Sequence, residues 1–261
     1  MKKIIITLLI TFFVAFSVKA GTDGENSLSK KKSSEVKDCF EGLNRATFAF
    51  NLGLDRFLFE PIAKGYRKLP TPIRKSASNV VANLSNLTTI PNNFLQGDFA
   101  LGGTNVARFG INTTAGILGI FNVASKIGFS EYEKEDYGQT LGVMGAKSGC
   151  YLVLPVLGPS TVRDSVGLTA SMFGGDPWYN VTVRNNTEHF RDSDYYITRA
   201  TSGTDFRAKN IESFDNLEKN SMDFYASVRS LYLQDRTRKI SNSNKVTTTQ
   251  DDSDWEELEI N

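Results

Sequence analysis

The chain has 261 residues, of which 40% are hydrophobic and 23% are charged, and this composition predicts a packed globular protein. Its 30 basic and 29 acidic residues nearly cancel, so the charge gives no support for a nucleic-acid partner. One histidine and two cysteines are too few for a zinc site, which takes about four such ligands or three plus water. They also leave only His189 as a base for a serine or cysteine nucleophile. We therefore expect no metal, no cofactor and no catalytic residues.

Residues 1–20 have the pattern of a cleavable signal peptide. A basic start is followed by an apolar run from Ile4 to Val18 and by small residues around the expected cut after Ala20. Cleavage there predicts export of the chain. The alternative is a retained membrane anchor, although the apolar run is shorter than the ~20 residues that a spanning helix needs.

Residues 21–37 are polar and rich in Gly, Ser and Lys, and this composition predicts a flexible tether. A first helix is predicted to follow, with Asp38 as its N-cap. Its apolar face has two interpretations, an ordinary core contact or a surface facing lipid, and periodicity alone does not separate them. The residues that recur at helical spacing on this face include Phe40, Leu43, Phe50, Leu54 and Phe57.

A second helix is predicted to open at Thr71–Pro72 and to stop at Pro91, because proline suits a first turn and interrupts a helix interior. Its apolar stripe, expected to mark the buried face, is Ile73, Ala77, Val80, Leu84 and Leu87. Further helices are predicted at about 99–112, at 121–127 and from 204 onward, with an irregular polar segment at 176–202.

Four glycines follow in close succession, at positions 138, 142, 145 and 149. Glycine at this density costs backbone entropy, so a geometric requirement is expected. Close approach of a helix or ligand is one explanation and ordinary turns are the other.

The last segment, residues 239–261, turns polar and then acidic. Such a tail is typical of disorder. The alternative is a docking peptide for a basic partner, because Trp255, Leu258 and Ile260 alternate with its acidic residues.

A series of different short motifs lies along residues 38–238. Each is weak alone, but together they form one pattern. The motif blocks lie at 38–45 (DCFEGLNR), 48–55, 83–84, 91–97, 108–114, 135–142 (EDYGQTLG), 151–160 (YLVLPVLGPS), 163–164 and 223–236.

This pattern resembles the MlaA (VacJ) family. The resemblance implies an all-α fold, a single ring-shaped helical domain over residues 38–238 with amphipathic helices and a central channel. It implies residence in the inner leaflet of the outer membrane, on the periplasmic side. It further implies phospholipid as the substrate and two protein partners, a trimeric porin and a soluble periplasmic lipid carrier, to which the acidic tail with Trp255 is a candidate docking peptide.

The resemblance also supplies candidates for the lipid channel. A lipid route needs an apolar lining for the tails and a polar lining for the headgroup. The alternative for each polar candidate is helix capping or buried hydrogen bonding. The candidates are Asn44, Arg45, Phe48, Asn51, Asn112, Gln139, Gly142, Leu154 and Pro155.

Two departures from the family pattern concern cysteine. Many relatives carry an acylated cysteine directly after the signal, whereas Cys39 here follows the polar sequence Val-Lys-Asp, so we expect no lipid anchor. Cys39 and Cys150 both stand where the family usually has proline. This double replacement in an exported protein suggests a disulfide, and the alternative is two unrelated buried thiols.

The resemblance therefore predicts non-enzymatic phospholipid transport between the outer and inner membranes, which removes mislocalised phospholipid from the outer leaflet and maintains lipid asymmetry. One rival function is a porin-associated structural envelope protein without lipid passage. A lipid hydrolase is the other rival, and it would need a nucleophile and base that converge on His189.

Overall fold

The computed structural model describes residues 36–130, 132–185 and 190–242 of the chain. The predicted signal peptide, His189 and nearly all of the predicted tether lie outside these residues. Residues 243–261 of the acidic tail, with Trp255, lie outside them as well.

The described chain is mostly helical, which confirms the all-α prediction, and its regular strands are two short ones that the sequence analysis did not predict. The helices are α1 Glu41–Leu54, α2 Glu60–Arg67, α3 Thr71–Leu95, α4 Phe99–Thr114, α5 Val123–Lys126, α6 Tyr137–Val143, α7 Val162–Ala170, α8 Pro177–Tyr179, α9 Asp192–Lys209, α10 Ile211–Asn220 and α11 Phe224–Asn242. Wider π-helical turns occupy Asp55–Phe59, Ser171–Gly175 and Asn180–Arg184.

The two strands form an antiparallel hairpin, β1 Tyr151–Leu154 and β2 Gly158–Thr161. Tyr151 pairs with Thr161, and Leu154 pairs with Gly158 across the turn. Aromatic and branched residues in β1 favour this extended conformation.

Asp38 is not the N-cap of α1, so that prediction was wrong. Phe40 occupies the cap position, and the Asp38 carboxylate instead accepts hydrogen bonds from Asn44 Nδ2, at 2.7 Å, and from the Tyr225 hydroxyl. Asp38 lies three residues before the helix starts, which allows it to join the first turn of α1 to the distant helix α11.

Pro91 does not end α3, which continues to Leu95. Proline at this point removes only the bond to the Leu87 carbonyl. The Asn92 side chain donates to the Thr88 carbonyl at 2.8 Å, and it accepts from the Thr140 hydroxyl at 2.5 Å. These polar contacts hold the last turn of the helix in place.

The segment predicted to be irregular contains the start of α9, which begins at Asp192. Its first turn is acidic, and the Asp194 carboxylate accepts from the Arg191 backbone amide at 2.8 Å, which pairs one of the free donors at this helix end. Acidic residues stabilise a helix N-terminus through the helix dipole. The apolar periodicity is weak here, and the prediction relied on that signal.

Polar side chains fill the contact between α3 and α4. The Asn105 amide donates to Asn93 Oδ1 at 2.8 Å, and the Asn83 amide donates to Thr113 Oγ1 at 2.9 Å. The apolar stripe predicted to be the buried face of α3 is instead half-buried, and Ile73 is 54% exposed. The most deeply buried residues on these two helices are Asn83, Asn86, Thr89, Asn92, Asn93, Gly102, Asn105, Arg108 and Asn112.

The same inversion holds across the described residues, where buried polar and charged side chains far outnumber buried hydrophobic ones. Large apolar side chains lie on the outside instead. Phe57 is 85% exposed and Phe173 is 83% exposed. Within the described chain, none of the helices combines the length and apolar character that crossing a bilayer requires.

The four clustered glycines divide between the two expected explanations. Gly138 packs against α7, and a Cβ there would lie 2.6 Å from Asp164 Oδ1. A Cβ on Gly142 would lie 2.6 Å from Ile240 of α11. Gly145 lies in the turn after α6 with a positive φ angle of 92°. Gly149 has a positive φ angle of 71° and is also closely packed, because a Cβ there would lie 2.9 Å from Val162 Cβ.

The closest approach of α6 and α7 depends on Gly167. A Cβ there would lie 2.2 Å from the Gly138 backbone nitrogen, so Gly167→Ala must push two helices apart and should cost about 3 kcal/mol of unfolding free energy. Gly103→Ala is the matched control, because Gly103 is helical, exposed and free of neighbours within 4 Å. Denaturant unfolding in detergent should show a stable or slightly stabilised control. Equal stability of the two variants would contradict the close packing.

Candidate functional site

A cavity of about 470 Å³ lies among α3, α6, α7, α9 and α11. Its apolar lining comes largely from α3, from the hairpin turn and from α7. Its polar lining comes from the segment before α6, from α7, from α9 and from α11. The apolar residues include Val81, Leu84, Leu157, Leu168, Met172 and Trp178, and the charged ones are Lys134, Glu135, Asp136, Asp164, Asp176, Arg199 and Arg236.

Arg236 of α11 bridges two carboxylates in this lining. Its guanidinium donates to Asp136 at 2.7 and 2.9 Å and to Asp164 at 2.8 Å. Asp164 also accepts from the Tyr232 hydroxyl at 2.6 Å and from Arg163 at 3.0 Å. One arginine thereby joins the start of α6, the first turn of α7 and the C-terminal helix.

The bridge keeps both carboxylates charged. Burial by itself would raise the pKa of Asp136, but the hydrogen bonds from Arg236 outweigh it and hold this pKa well below the usual range. Burial likewise opposes ionisation of Asp164, and the Arg236 charge and hydrogen bond again keep its pKa low. Asp136 and Asp164 are therefore fixed charges of the polar lining that stay ionised at neutral pH.

The pKa of Glu135 is raised, in contrast to those of Asp136 and Asp164. Glu135 is 5% exposed, and burial raises its pKa to about 7, although Gln96 donates to it at 3.0 Å. Its backbone amide donates to Thr89 Oγ1 at 3.2 Å, which fixes the segment against α3. Glu135 is therefore a buried carboxyl that changes charge near neutral pH.

Arg199 supplies a cation on the α9 side of the cavity. Its guanidinium pairs with the buried Asp176 carboxylate, and its side chain is 43% exposed. Asp176 also accepts from the Trp178 backbone amide at 2.9 Å, which places the indole in the same lining. Fixed polar groups and apolar surface thus meet within one cavity, an arrangement that suits an amphipathic ligand.

Several sequence candidates meet at the hairpin. The Asn44 amide donates to the Tyr151 carbonyl at 3.0 Å and accepts from the Val153 amide at 2.9 Å. Asn51 likewise donates to the Leu154 carbonyl at 2.9 Å and accepts from the Val156 amide. Both asparagines extend the edge of β1 from α1. Leu154 ends the strand and Pro155 follows it in the exposed turn.

Arg45 and Phe48 join α1 to α11. Arg45 pairs with Asp223 at 2.6 Å and with Glu41 at 2.7 Å, and its pKa is raised by these hydrogen bonds. The Phe48 ring packs edge-on against Tyr225, with centroids 5.5 Å apart.

The remaining candidates lie elsewhere. Asn112 accepts from the Ala124 amide at 2.9 Å and supports α5. Gln139 donates to Asp136 at 3.0 Å, beside the ion network, and Gly142 packs under α11. None of the nine channel candidates belongs to the described lining of the 470 Å³ cavity. Gln139 comes nearest, because it holds Asp136.

The structure joins Cys39 and Cys150 in a disulfide, with their Cα atoms 5.6 Å apart. It connects the residues before α1 to the start of β1. Two other contacts join the same two segments. They are the hydrogen bonds of Asn44 to β1 and the Tyr151 amide, which donates to the Lys37 carbonyl at 2.8 Å. In the chain-entropy model, closing a loop of 111 residues stabilises the fold by about 4–5 kcal/mol.

Sequence reasoning missed several lining residues. Tyr232, Asp164 and Arg236 belonged to the motif blocks, yet nothing in those motifs indicated that the three side chains meet. Arg199 lay in the segment predicted to be irregular. No motif or periodic pattern near Trp178 indicated that it would line a cavity.

Comparisons with known proteins place the chain beside a single family. A family profile described as MlaA lipoprotein matches residues 36–239. An uncharacterised protein of Rickettsia bellii is 35% identical over 208 residues, which cover 79% of this chain and 78% of the relative. The intermembrane phospholipid transport system lipoprotein MlaA of Escherichia coli is 33% identical over 208 residues, which cover 76% of each chain. That of Haemophilus influenzae is 27% identical over 241 residues, which cover 88% of this chain and 90% of the relative.

A solved structure described as the structural basis for maintenance of bacterial outer membrane lipid asymmetry matches with a TM-score of 0.68 and 30% identity. The match covers 78% of this chain and 99% of the other.

Removing the central arginine should destabilise the fold. Arg236→Met leaves Asp136 and Asp164 buried without their shared cation, so the unfolding free energy should fall by about 3–5 kcal/mol. Arg238→Met, two residues along α11, removes only an exposed pair with Asp235 and should cost less than about 1 kcal/mol. Chemical denaturation of both variants tests this, and a similar small loss in both would contradict the bridging role.

Glu135 should make stability depend on pH. Its pKa is raised on folding, so its contribution is fully present below about pH 4.5 and is lost as the pH rises through about 7. Glu135→Gln should therefore be more stable than the parent at pH 8, by about 3 kcal/mol, and the two should converge near pH 4.5. Unfolding curves at both pH values measure the difference. A constant difference across this range would contradict the assignment.

Proposed function

This chain belongs to the MlaA lipoprotein family, and we propose that it transports phospholipid between the outer and inner membranes of the cell envelope. In this role it removes mislocalised phospholipid from the outer leaflet and so maintains lipid asymmetry. The observation that carries the proposal is the 470 Å³ cavity, in which an apolar surface lies beside fixed charges.

This lining offsets the cost of moving a lipid. Each acyl CH₂ that leaves the bilayer loses about 0.8 kcal/mol, so the tails need apolar surface along the way. Val81, Leu84 and Leu168 provide such surface. The phosphate needs polar partners, and Arg199 is a half-exposed cation in the same lining. Transfer of this kind needs no bond-making, so we propose that the protein is not an enzyme.

The outward-facing apolar side chains support residence in a membrane leaflet. On α1 and the turn that follows it, Phe50 and Phe57 are exposed whereas Asn44 is buried, and Phe173 is exposed after α7. Such surface is costly in water and favourable in lipid. We place the protein in the inner leaflet of the outer membrane, on its periplasmic side.

The finer features of the proposal follow from the family resemblance. They are a ring-shaped domain with a central channel, a trimeric porin as the membrane partner, and a soluble periplasmic carrier that receives the lipid. Export by a cleaved signal and residence without an acyl anchor also stay predictions. Asn44, Asn51, Asn112 and Gln139 are proposed to act by holding the channel frame through the hydrogen bonds described above.

Filling the cavity should stop lipid passage. Ser202 lines the cavity from α9, so Ser202→Trp places an indole in the lumen. Gly203→Trp is the matched control, because Gly203 is exposed and has open space around it. In a strain that lacks the gene, outer-leaflet phospholipid should rise. When each variant is expressed in that strain, the control should restore the normal level of outer-leaflet phospholipid, whereas Ser202→Trp should leave the level raised.

Both variants should still fractionate with the outer membrane, which separates loss of transport from loss of folding. Full restoration by Ser202→Trp would contradict lipid passage through this cavity and would favour the structural envelope role. An unchanged phospholipid level in the deletion strain would contradict the transport function itself.

A further inference from the structure

A second cavity, of about 370 Å³, lies on a different face of α3 from the first. The described linings of the two cavities share no residue. The second lining is predominantly polar, in contrast to the first. Its main groups are Asn79, Asn83 and Asn86 from α3, Arg108 and Asn112 from α4, and Lys209 from α9.

Two side chains in this lining carry buried acceptors without partners. Asn83 is 3% exposed and Asn86 is 2% exposed. Within the described residues, the side-chain oxygen of each accepts no hydrogen bond. They lie three residues apart on α3, on the same side of the helix. A buried acceptor left unsatisfied costs about 1–3 kcal/mol. A ligand whose hydroxyl groups donate to these two oxygens would remove that cost.

Two cations complete the chemistry of the cavity. Lys209 Nζ donates to Ser78 Oγ at 2.6 Å at its edge and pairs with Asp205 at 2.7 Å. Arg108, 2% exposed, donates to the Ser130 carbonyl at 2.5 Å and to Ser125 Oγ at 3.0 Å. Among the described residues of the lining there are cationic side chains and no acidic ones. The cavity therefore favours an anion over a cation.

We propose that this cavity binds a phosphoglycerol group, that is, a phosphate ester with free hydroxyls. The phosphate would meet the Arg108 and Lys209 charges, and the hydroxyls would donate to Asn83 and Asn86. An ammonium headgroup would meet the same two charges without a carboxylate among the described lining residues. The source of the group is a phosphatidylglycerol headgroup, an assignment that rests on the proposed function, or a free glycerol phosphate.

The test uses the purified full-length protein in detergent and measures binding by calorimetry. The four probes are glycerol 1-phosphate, inorganic phosphate, and dihexanoyl forms of phosphatidylglycerol and phosphatidylethanolamine. Glycerol 1-phosphate has no acyl chains, so it does not use the apolar surface of the first cavity. It should bind more tightly than inorganic phosphate.

Two variants locate the site. Asn86→Leu and Lys209→Gln should each weaken glycerol 1-phosphate binding at least about fivefold, the loss expected for one buried or charge-assisted hydrogen bond. Asn220→Leu is the matched control, an exposed asparagine at the end of α10, and should bind as the parent does. Because Asn86 Oδ1 accepts no hydrogen bond within the described residues, Asn86→Leu should melt no lower than the parent.

Tighter binding of phosphatidylglycerol than of phosphatidylethanolamine, lost in Asn86→Leu, assigns the lipid headgroup as the source. Binding of glycerol 1-phosphate without that lipid preference assigns the free solute. No binding, equal binding of inorganic phosphate, or unchanged binding in folded Asn86→Leu would overturn the site. The Ser202→Trp experiment tests transport through the first cavity independently of these measurements. A negative binding result here would therefore not contradict the transport function.

Discussion

Buried polar groups must find partners, and this fold depends on meeting that requirement in an interior that is mostly polar. An amide or charge taken from water without a hydrogen bond costs several kcal/mol, so each element must arrive in register with its neighbours. Asn93 meets Asn105 between α3 and α4, and Arg236 meets two carboxylates at α11. These contacts are directional, so they fix the relative positions of the helices more precisely than apolar contacts do.

The same requirement explains the outer surface. Because the helices turn their asparagines, threonines and arginines inward, their phenylalanines and leucines face out. In water this arrangement would give up the hydrophobic term that drives most folding. In the membrane leaflet that we propose for this protein, the exposed side chains would meet acyl chains and the polar interior would be shielded from lipid. The proposed residence in a membrane and the polar packing inside are therefore explained by one pattern.

A disulfide and two asparagine side chains hold the hairpin in place. The Cys39–Cys150 disulfide and the Asn44 and Asn51 side chains tie β1 to the start of the domain. The first cavity is bordered by the hairpin turn at Leu157 and by α7, whose Gly167 allows close contact with α6. A cavity wall held by these contacts suits the lipid passage that we propose.

Several helices of this protein could be predicted from the sequence, whereas the start of α9 and the faces that the helices bury could not. The recurrence of Phe40, Leu43 and Phe50 correctly indicated a helix, but periodicity does not say whether an apolar face meets a core or lipid. Apolar periodicity also directed attention to Leu84 and Leu87 rather than to Asn83 and Asn86, because the rule assumes that apolar residues are buried. The cavity lining could not be predicted for another reason. Only the fold brings together charged residues that are far apart in sequence, namely Asp136, Asp164, Arg199 and Arg236.

The central claim is that the exposed apolar side chains of this protein face phospholipid, and photocrosslinking tests it most directly. A benzophenone amino acid at position 57 or 173, each now an exposed phenylalanine, should form adducts with radiolabelled phospholipid in cells. The same group at the exposed polar position 238 should form few. Equal labelling at all three positions, or none at 57 and 173, would contradict the account.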